Sequence, residues 1–165
     1  MGVNDATRFP KFASFIADKW SRGTEVADIA GGRGNLTFYL RQLGYASTII
    51  DVRETHLPGR LRRALRKESR KTGRNVALQK VVGCVEQVDL QGFDLLAGLH
   101  PDQATEHVIR RAMALEKDFA VVPCCVFPID GVKRSKDAWF EYLRNLCPGT
   151  QAANLPCEGD SLVFY

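Results

Sequence analysis

The amino-acid sequence predicts an α/β fold with a doubly wound, mostly parallel β-sheet. Apolar runs of about four to eight residues, typical of strands that are covered on both faces, alternate along the chain with segments of helical spacing. The 165 residues suffice for one such domain and are few for two, so residues 1–165 are expected to form a single unit. In an open sheet of this kind, ligands bind at the carboxyl ends of the strands.

The first half of the chain predicts three helices and three strands. Apolar residues at helical spacing predict an N-terminal helix over residues 9–21. A second helix starts at Asn35, which can cap it, and stops at Gly44. A basic segment predicts a third helix over residues 57–71. Continuous apolar runs predict the strands, at residues 25–30, 47–52 and 75–83.

The second half completes the predicted sheet. Residues 93–99 predict a fourth strand, and the segment 118–127 starts as a fifth. Ser135 is placed to cap a later helix that turns Trp139 inward. The C-terminal segments QAANL and SLVFY predict two closing strands in an antiparallel hairpin. The helix between the fourth and fifth strands has an apolar face made of Val108, Ile109, Ala112 and Met113.

A glycine-rich turn, VADIAGGRGN, follows the first strand. Gly31, Gly32 and Gly34 permit positive φ and let a ligand approach the backbone closely. The dinucleotide-binding fingerprint GxGxxG fails here, because counting from Gly32 puts Thr37 at the last glycine position. The spacing therefore disfavours a nicotinamide-dependent reductase.

Acidic residues near the ends of the first and second strands indicate a different ligand. Asp28, just before the glycines, would repel a pyrophosphate but attract a ligand with a cationic amine and a sulfonium. Asp51 ends the second strand, where a carboxylate can accept hydrogen bonds from both hydroxyl groups of a ribose. The alternative for Asp51 is a turn or helix-capping role.

These segments together resemble the class I S-adenosylmethionine-dependent methyltransferases. VADIAGGRGNLTFYL is similar to their first motif, STIIDVRE to the acidic second motif and FDLLAGLHPDQATEHVIRRA to the fourth-strand motif. DFAVVPCCVFP resembles a fifth-strand segment of a small subgroup with GLH and PCC segments, similar to some RNA methyltransferases. The resemblance implies a Rossmann-like sheet of seven strands and S-adenosyl-L-methionine as cofactor.

The resemblance also implies roles for individual residues. Asp28 and the glycine turn would surround the methionine part of the cofactor, and Asp51 would bind its ribose. Val52 would lie against the adenine, with Glu86 near the exocyclic amine. The residues implied to bind the cofactor are Asp28, Ala30, Gly31, Gly32, Gly34, Asp51, Val52, Cys84, Val85, Glu86 and Leu99.

His100 directly follows the fourth strand and would lie beside the transferred methyl group. A base is needed only when the acceptor must lose a proton, and His100 is the candidate for it. The alternative is a turn residue bonded to the next helix, in which Asp102 is expected to be the N-cap or to lie in the first turn. Because GLHPD replaces the (D/N/S)PP(Y/F/W) motif of exocyclic-amine methyltransferases, methylation of nucleobase amines is disfavoured.

Cys124 and Cys125 follow the fifth strand. Each can belong to a substrate pocket, act as a nucleophile, or fill space as a small apolar residue. Adjacent cysteines without an organised histidine make a poor zinc site, so no metal is expected. Five cysteines without CxxC spacing favour a reducing compartment, the cytoplasm.

Positive charge is concentrated between Arg60 and Arg74. This segment has eight basic residues and one acid, so it carries +7, whereas the rest of the chain sums to −3. It is either a solvated helix face or a polyanion site, and Arg63 and Arg66 are the candidate substrate contacts. Lys133, Arg134 and Lys136 also favour a polyanion such as RNA.

The sequence thus predicts an S-adenosylmethionine-dependent methyltransferase that acts on RNA or on an RNA-associated substrate. A non-catalytic cofactor-binding partner of an active subunit is one alternative. A small-molecule methyltransferase, with residues 127–135 and the N-terminal helix as a lid, is another. No run of about 18 apolar residues is present, so no membrane association is expected.

Overall fold

The computed structural model describes residues 7–165, in which helices and strands alternate as the sequence predicts. The helices are α1 (Arg8–Lys19), α2 (Asn35–Gln42), α3 (Gly59–Thr72), α4 (Thr105–Leu115) and α5 (Lys136–Leu146). The strands are β1 (Glu25–Ile29), β2 (Ala46–Asp51), β3 (Gln79–Val82), β4 (Leu95–Leu99), β5 (Asp118–Val122), β6 (Ala152–Asn154) and β7 (Leu162–Phe164).

These seven strands form one sheet in the order β3-β2-β1-β4-β5-β7-β6. Strands β1 to β5 pair in parallel, whereas β7 pairs antiparallel to both β5 and β6. The predicted α/β fold, with a mostly parallel seven-stranded sheet and a C-terminal hairpin, is confirmed. The strand order reverses between β1 and β4, and their carboxyl ends border the crevice where ligands bind in such sheets.

Apolar side chains cover both faces of the sheet. On one face, Phe12 and Ile16 of α1 pack with Leu36 and Leu40 of α2. On the other face, α4 and α5 contribute buried side chains, namely Val108, Ile109, Ala112, Trp139 and Leu143. Met113 of the same helix is 40% exposed and does not belong to this buried set.

Some element boundaries differ from those predicted. Strand β3 is one of the two edge strands of the sheet and pairs only with β2. It has four residues, fewer than the predicted strand over residues 75–83. Asn35 does not cap α2, since the capping position is Gly34 in the left-handed region, with a φ of 74°. Ser135 caps α5 as predicted, and its side chain accepts a hydrogen bond from the backbone N–H of Ala138.

None of the helices between residues 7 and 165 has the length and apolar character needed to cross a membrane.

A buried carboxylate joins α4, α5 and the segment after β5. Glu106, which is 0% exposed, accepts hydrogen bonds from Arg110 Nε at 2.7 Å and from the Tyr142 hydroxyl at 2.8 Å. It also accepts one from the Ile129 backbone N–H at 2.9 Å. These bonds outweigh the effect of burial and hold the pKa of Glu106 below its ordinary value.

We expect Glu106→Ala to lower the free energy of unfolding by about 3 kcal/mol, because the Ile129 N–H and the Tyr142 hydroxyl lose their shared acceptor. Urea denaturation measures this loss. Glu106→Gln keeps an acceptor oxygen and should cost less. Glu141→Ala, at an exposed position of α5, is the control and should change stability by less than about 0.5 kcal/mol. Equal losses in the alanine variants would contradict the role of Glu106.

Candidate active site

A cavity of about 670 Å³ opens at the carboxyl ends of the parallel strands. It lies where the sequence predicts a ligand, beside the turns that follow β1, β2, β3 and β4. Eight of the residues singled out from the sequence line it together: Ala30, Asp51, Val52, Cys84, Val85, Glu86, His100 and Cys125.

The glycine turn is shaped by lack of space as well as by positive φ. A Cβ atom on Gly31 would lie 2.6 Å from the carboxyl carbon of Asp28 and 2.8 Å from the Asp28 carbonyl oxygen. A Cβ on Gly34 would lie 2.7 Å from Ile49 Cδ1. Both distances are too short for a real contact, so the turn closes on the sheet only where the side chains are absent.

Asp28 lies beneath the glycine turn and is 1% exposed. Its Oδ2 accepts hydrogen bonds from the Thr37 hydroxyl at 2.8 Å and from the Thr37 backbone N–H at 3.2 Å. Burial raises the pKa of Asp28 to about 7, although both hydrogen bonds favour the charged form. Asp28 therefore fixes the turn to the first turn of α2 and does not line the cavity.

Asp51 ends β2 and is 3% exposed. Its Oδ2 accepts a hydrogen bond from the Gly32 N–H at 2.9 Å, and its Oδ1 accepts one from the Arg53 N–H at 2.9 Å. The Arg53 guanidinium adds an ion pair at 3.1 Å. Burial opposes ionisation, but these bonds hold the pKa of Asp51 below its ordinary value.

Beyond β3, the cavity wall contains a chain of three polar side chains. The Cys84 thiol donates a hydrogen bond to Glu86 Oε2, and Glu86 Oε1 lies 3.1 Å from His107 Nδ1. Burial opposes the charge on Glu86, but the bond from Cys84 and the nearby His107 lower its pKa. Val52, which the sequence predicts to lie against the adenine, lines the same cavity and is 62% exposed.

His100 uses both nitrogens of its imidazole ring within the fold. Arg8 Nη1 lies 3.0 Å from Nδ1, and the Asp160 carbonyl oxygen lies 2.9 Å from Nε2. Since the guanidinium can only donate, Nδ1 is the acceptor and Nε2 carries the proton. Burial, reinforced by Arg8, lowers the pKa of His100. The ring ties α1 to the loop between β6 and β7.

The cavity is lined by Asp102 but not by Leu99, Cys124, Arg63 or Arg66. Leu99 is 9% exposed at the end of β4, and Arg63 and Arg66 are exposed on α3. The side chain of Asp102, expected to cap α4, makes no cap and accepts a hydrogen bond from the Cys124 thiol at 3.1 Å. Asp102 does not cap α4 because it is the first residue of a short 3-10 turn, Asp102–Ala104, and Ala104 holds the capping position.

Sequence reasoning missed several residues of the site. Thr37 was used only to exclude a dinucleotide, whereas its side chain is the partner of Asp28. Arg53 lies within the segment STIIDVRE, two positions after Asp51, and this proximity was its only signal. Arg8 lies 92 positions from His100, a separation that no local pattern reveals.

Comparison with family models identifies the chain. Residues 7–130 match the family described as "Methyltransferase domain", which is well over half of the sequence. The chain belongs to this family, and the predicted membership of the class I S-adenosylmethionine-dependent methyltransferases is confirmed. No curated protein sequence matches the chain.

Solved structures of low sequence identity share the fold. The protein PH0226 from Pyrococcus horikoshii has a TM-score of 0.60 and 13% identity, over 96% of this chain and 88% of that one. Magnesium protoporphyrin IX methyltransferase from Synechocystis, solved with bound S-adenosylmethionine, has a TM-score of 0.59 and 16% identity, over 99% and 84%.

A tRNA (uracil-54, C5)-methyltransferase from Pyrococcus abyssi, in complex with S-adenosylhomocysteine, is also similar. Its TM-score is 0.50 and its identity 20%, over 73% of this chain. The present chain spans only 28% of the length of that enzyme. One of these enzymes acts on tRNA and another on magnesium protoporphyrin IX, so the shared fold does not specify an acceptor.

The raised pKa of Asp28 predicts a pH-dependent stability. The unfolded chain loses this proton near pH 3.8 and the folded protein near pH 7, so the folded state binds more protons between these values. The free energy of unfolding should therefore fall by about 1.4 kcal/mol per pH unit across this window as pH rises, and Asp28→Asn should remove this slope.

Chemical denaturation of both proteins from pH 4 to pH 8 measures the effect. Subtracting the two stability curves cancels the contribution of every other titrating group. The difference should grow with pH in favour of the Asp28→Asn variant and level off above pH 7. Parallel curves would show that the Asp28 proton is lost equally in the folded and unfolded states.

Proposed function

We propose that this chain is an S-adenosylmethionine-dependent methyltransferase that acts on RNA or on an RNA-associated substrate. The observation that carries the choice of substrate is an exposed row of unpaired cations on α3. This helix starts at the same edge of the sheet as the cavity, and Arg60 near its start donates a hydrogen bond to Asn35 Oδ1 at 2.8 Å.

The residues of the cavity fit the proposed cofactor. The ligand combines a ribose and an adenine with a cationic ammonium and sulfonium, and the cavity combines Asp51, Glu86 and Asp102 with the exposed apolar Val52. Asp51 would hold the ribose hydroxyls, and Val52 would cover the adenine. Asp28 would act indirectly, by fixing the glycine turn beside the methionine part. When bound, this group supplies a methyl already activated on sulfur.

Positioning is the main contribution proposed for this chain. Gly31, Gly32 and Gly34 hold the backbone close to the ligand, and the Gly32 N–H fixes the Asp51 carboxylate. His100 was the candidate base, but its acceptor nitrogen is held by Arg8 and its pKa is lowered. We therefore propose that His100 holds α1 and the loop between β6 and β7 in place beside the methyl position. The protein would then promote methylation by aligning the nucleophilic atom of the acceptor with the methyl group.

The charge on α3 is unopposed. The only acid in the helix, Glu68, pairs with Arg41 of α2 at 2.5 Å and neutralises none of the outer cations. Leu61 and Leu65 turn inward against Phe38, which directs the basic side chains to solvent. Within residues 7–165, eight exposed cations of this segment form no ion pair: Arg60, Arg62, Arg63, Arg66, Lys67, Arg70, Lys71 and Arg74.

This arrangement matches an RNA backbone better than a solvated helix face. Exposed helices in general balance their charges with pairs one turn apart, whereas here like charges accumulate. A row of mutually repelling cations is stabilised when phosphates bind and release counterions. The five cysteines are free thiols, which supports the proposal that the enzyme works in the reducing cytoplasm.

A second cavity favours a small-molecule acceptor as the competing proposal. It has a volume of about 600 Å³ and shares Gln103, His107 and Phe127 with the first. Ile129 and Val132 on its wall are 48% and 53% exposed. Such an apolar wall suits a planar organic acceptor.

The ion pair between Arg53 and Asp51 predicts competition with the cofactor. Arg53 is 67% exposed, so its pair is worth at most about 1 kcal/mol. Removing it in Arg53→Ala should therefore raise the affinity for S-adenosylhomocysteine by up to about fivefold in isothermal titration calorimetry.

Arg62→Ala is the matched control, because it removes the same charge from the exposed side of α3 without touching Asp51. Its affinity should equal that of the wild type. Weaker binding by Arg53→Ala would mean that Arg53 contacts the cofactor rather than competing with it.

The RNA proposal predicts salt-dependent binding through α3. Filter binding of cellular RNA across a salt series should give a negative slope of log affinity against log salt. In Arg63→Ala/Arg66→Ala, the slope should decrease in size by about 1.4, since each phosphate contact to single-stranded RNA contributes roughly 0.7. Transfer of a labelled methyl group to the RNA fraction should fall in parallel.

The control for this experiment is Arg22→Ala/Arg144→Ala, which removes two exposed cations before β1 and in the last turn of α5. It should bind and methylate RNA as the wild type does. Binding that is unchanged up to about 0.3 M salt would refute the RNA proposal. Label found only in low-molecular-weight products would favour the small-molecule alternative.

A further inference from the structure

Three side chains with metal-ligating atoms meet at the rim of the first cavity. Asp102 follows β4, and Cys124 and Cys125 follow β5. One carboxylate oxygen and the two sulfur atoms all lie within 4.8 Å of one another. We propose that Asp102, Cys124 and Cys125 bind one thiophilic divalent metal ion, for which Zn²⁺ is the reference.

The geometry of the three atoms is close to that of a zinc site. Tetrahedral zinc holds sulfur at about 2.3 Å and carboxylate oxygen at about 2.0–2.2 Å, which separates two sulfur ligands by roughly 3.8 Å and sulfur from oxygen by roughly 3.5 Å. Cys124 Sγ and Asp102 Oδ1 are 3.1 Å apart. Side-chain movements of about 1 Å would therefore place all three atoms at bonding distance.

The fold brings a third metal ligand, Asp102, to the two adjacent cysteines. Leu99 of β4 is paired in register with Val122 of β5, and the His100 N–H donates to the Val122 carbonyl oxygen at 2.9 Å. The segments after β4 and β5 therefore leave the sheet side by side at its carboxyl edge. Asp102 then adopts a φ of 48°, in the left-handed region, and its carboxylate accepts the hydrogen bond from Cys124.

The surroundings favour a cation at this position. Asp102 forms no ion pair among residues 7–165, and Arg53, whose charge interacts with that of Asp102, pairs with Asp51. A metal ion would compensate the negative charge, and each thiol would release its proton to solvent on binding.

The site would keep a free coordination position. Zinc with three protein ligands takes its fourth from water or a substrate. Asp102 and Cys125 both line the cavity, so the fourth position would face the space proposed for the cofactor and acceptor. Metal binding here does not depend on the proposed methyl transfer and is measured without it.

Titration of the reduced protein with Co²⁺, followed by displacement with Zn²⁺, tests the proposal. We expect one equivalent of Co²⁺ to bind and to produce a thiolate-to-cobalt charge-transfer band, which Zn²⁺ then removes. Cys125→Ser, at an exposed position, should weaken binding by at least about 100-fold, and Cys124→Ser likewise. Asp102→Asn should weaken it by about tenfold.

Two cysteine variants serve as controls. Cys147→Ser changes the residue after α5, and Cys84→Ser changes the thiol that bonds Glu86 in the same cavity. Both should retain stoichiometric binding with an unchanged band. The proposal is overturned when the wild type gives no thiolate band, when Cys125→Ser binds normally, or when the band is lost in Cys84→Ser. Circular dichroism of each variant shows whether it is folded.

Discussion

The hydrogen bonds that the buried Asp28 carboxyl group accepts from Thr37 fix the carboxyl edge of the sheet on which the site is built. They join the end of β1 to the first turn of α2, and the intervening turn fits only because Gly31 has no side chain. From that turn the Gly32 N–H reaches Asp51 at the end of β2. A buried group with a pKa near 7 thus sets the positions of two neighbouring strand ends, at a cost in stability that rises with pH.

Several polar groups around the cavity have partners inside the fold. Arg53 pairs with Asp51, Cys84 and His107 flank Glu86, and Arg8 holds His100. A ligand therefore exchanges one set of interactions for another, so its affinity reflects the difference between them. The partners also keep the carboxylates of Asp51 and Glu86 ionised before a ligand binds. Such preorganised groups can align the reacting atoms, and this alignment is what accelerates a methyl transfer.

The basic helix is separated from this network. Its inner side chains, Leu61 and Leu65, pack against Phe38 in a small apolar cluster of their own, and its one acid is neutralised by Arg41. The exposed cations of this helix therefore form no ion pair with any residue that the structure describes and can bind an external anion. At the cavity, Asp102, Cys124 and Cys125 form the opposite arrangement, because potential metal ligands from two loops lie within 4.8 Å of one another.

The sequence by itself determined the architecture, because helical and strand periodicity report directly on which faces are buried. It also located the turn around Gly31, the acid Asp51 and the basic segment, since each is a local pattern at the end of a predicted strand. Tertiary structure decided what those groups contact. The partners Arg8 and His100 are 92 positions apart, Asp102 and Cys124 are 22 apart, and Glu106 and Tyr142 are 36 apart. The direction of a side chain and the partner it finds depend on how loops from different strands meet, and no periodic signal in the chain encodes this.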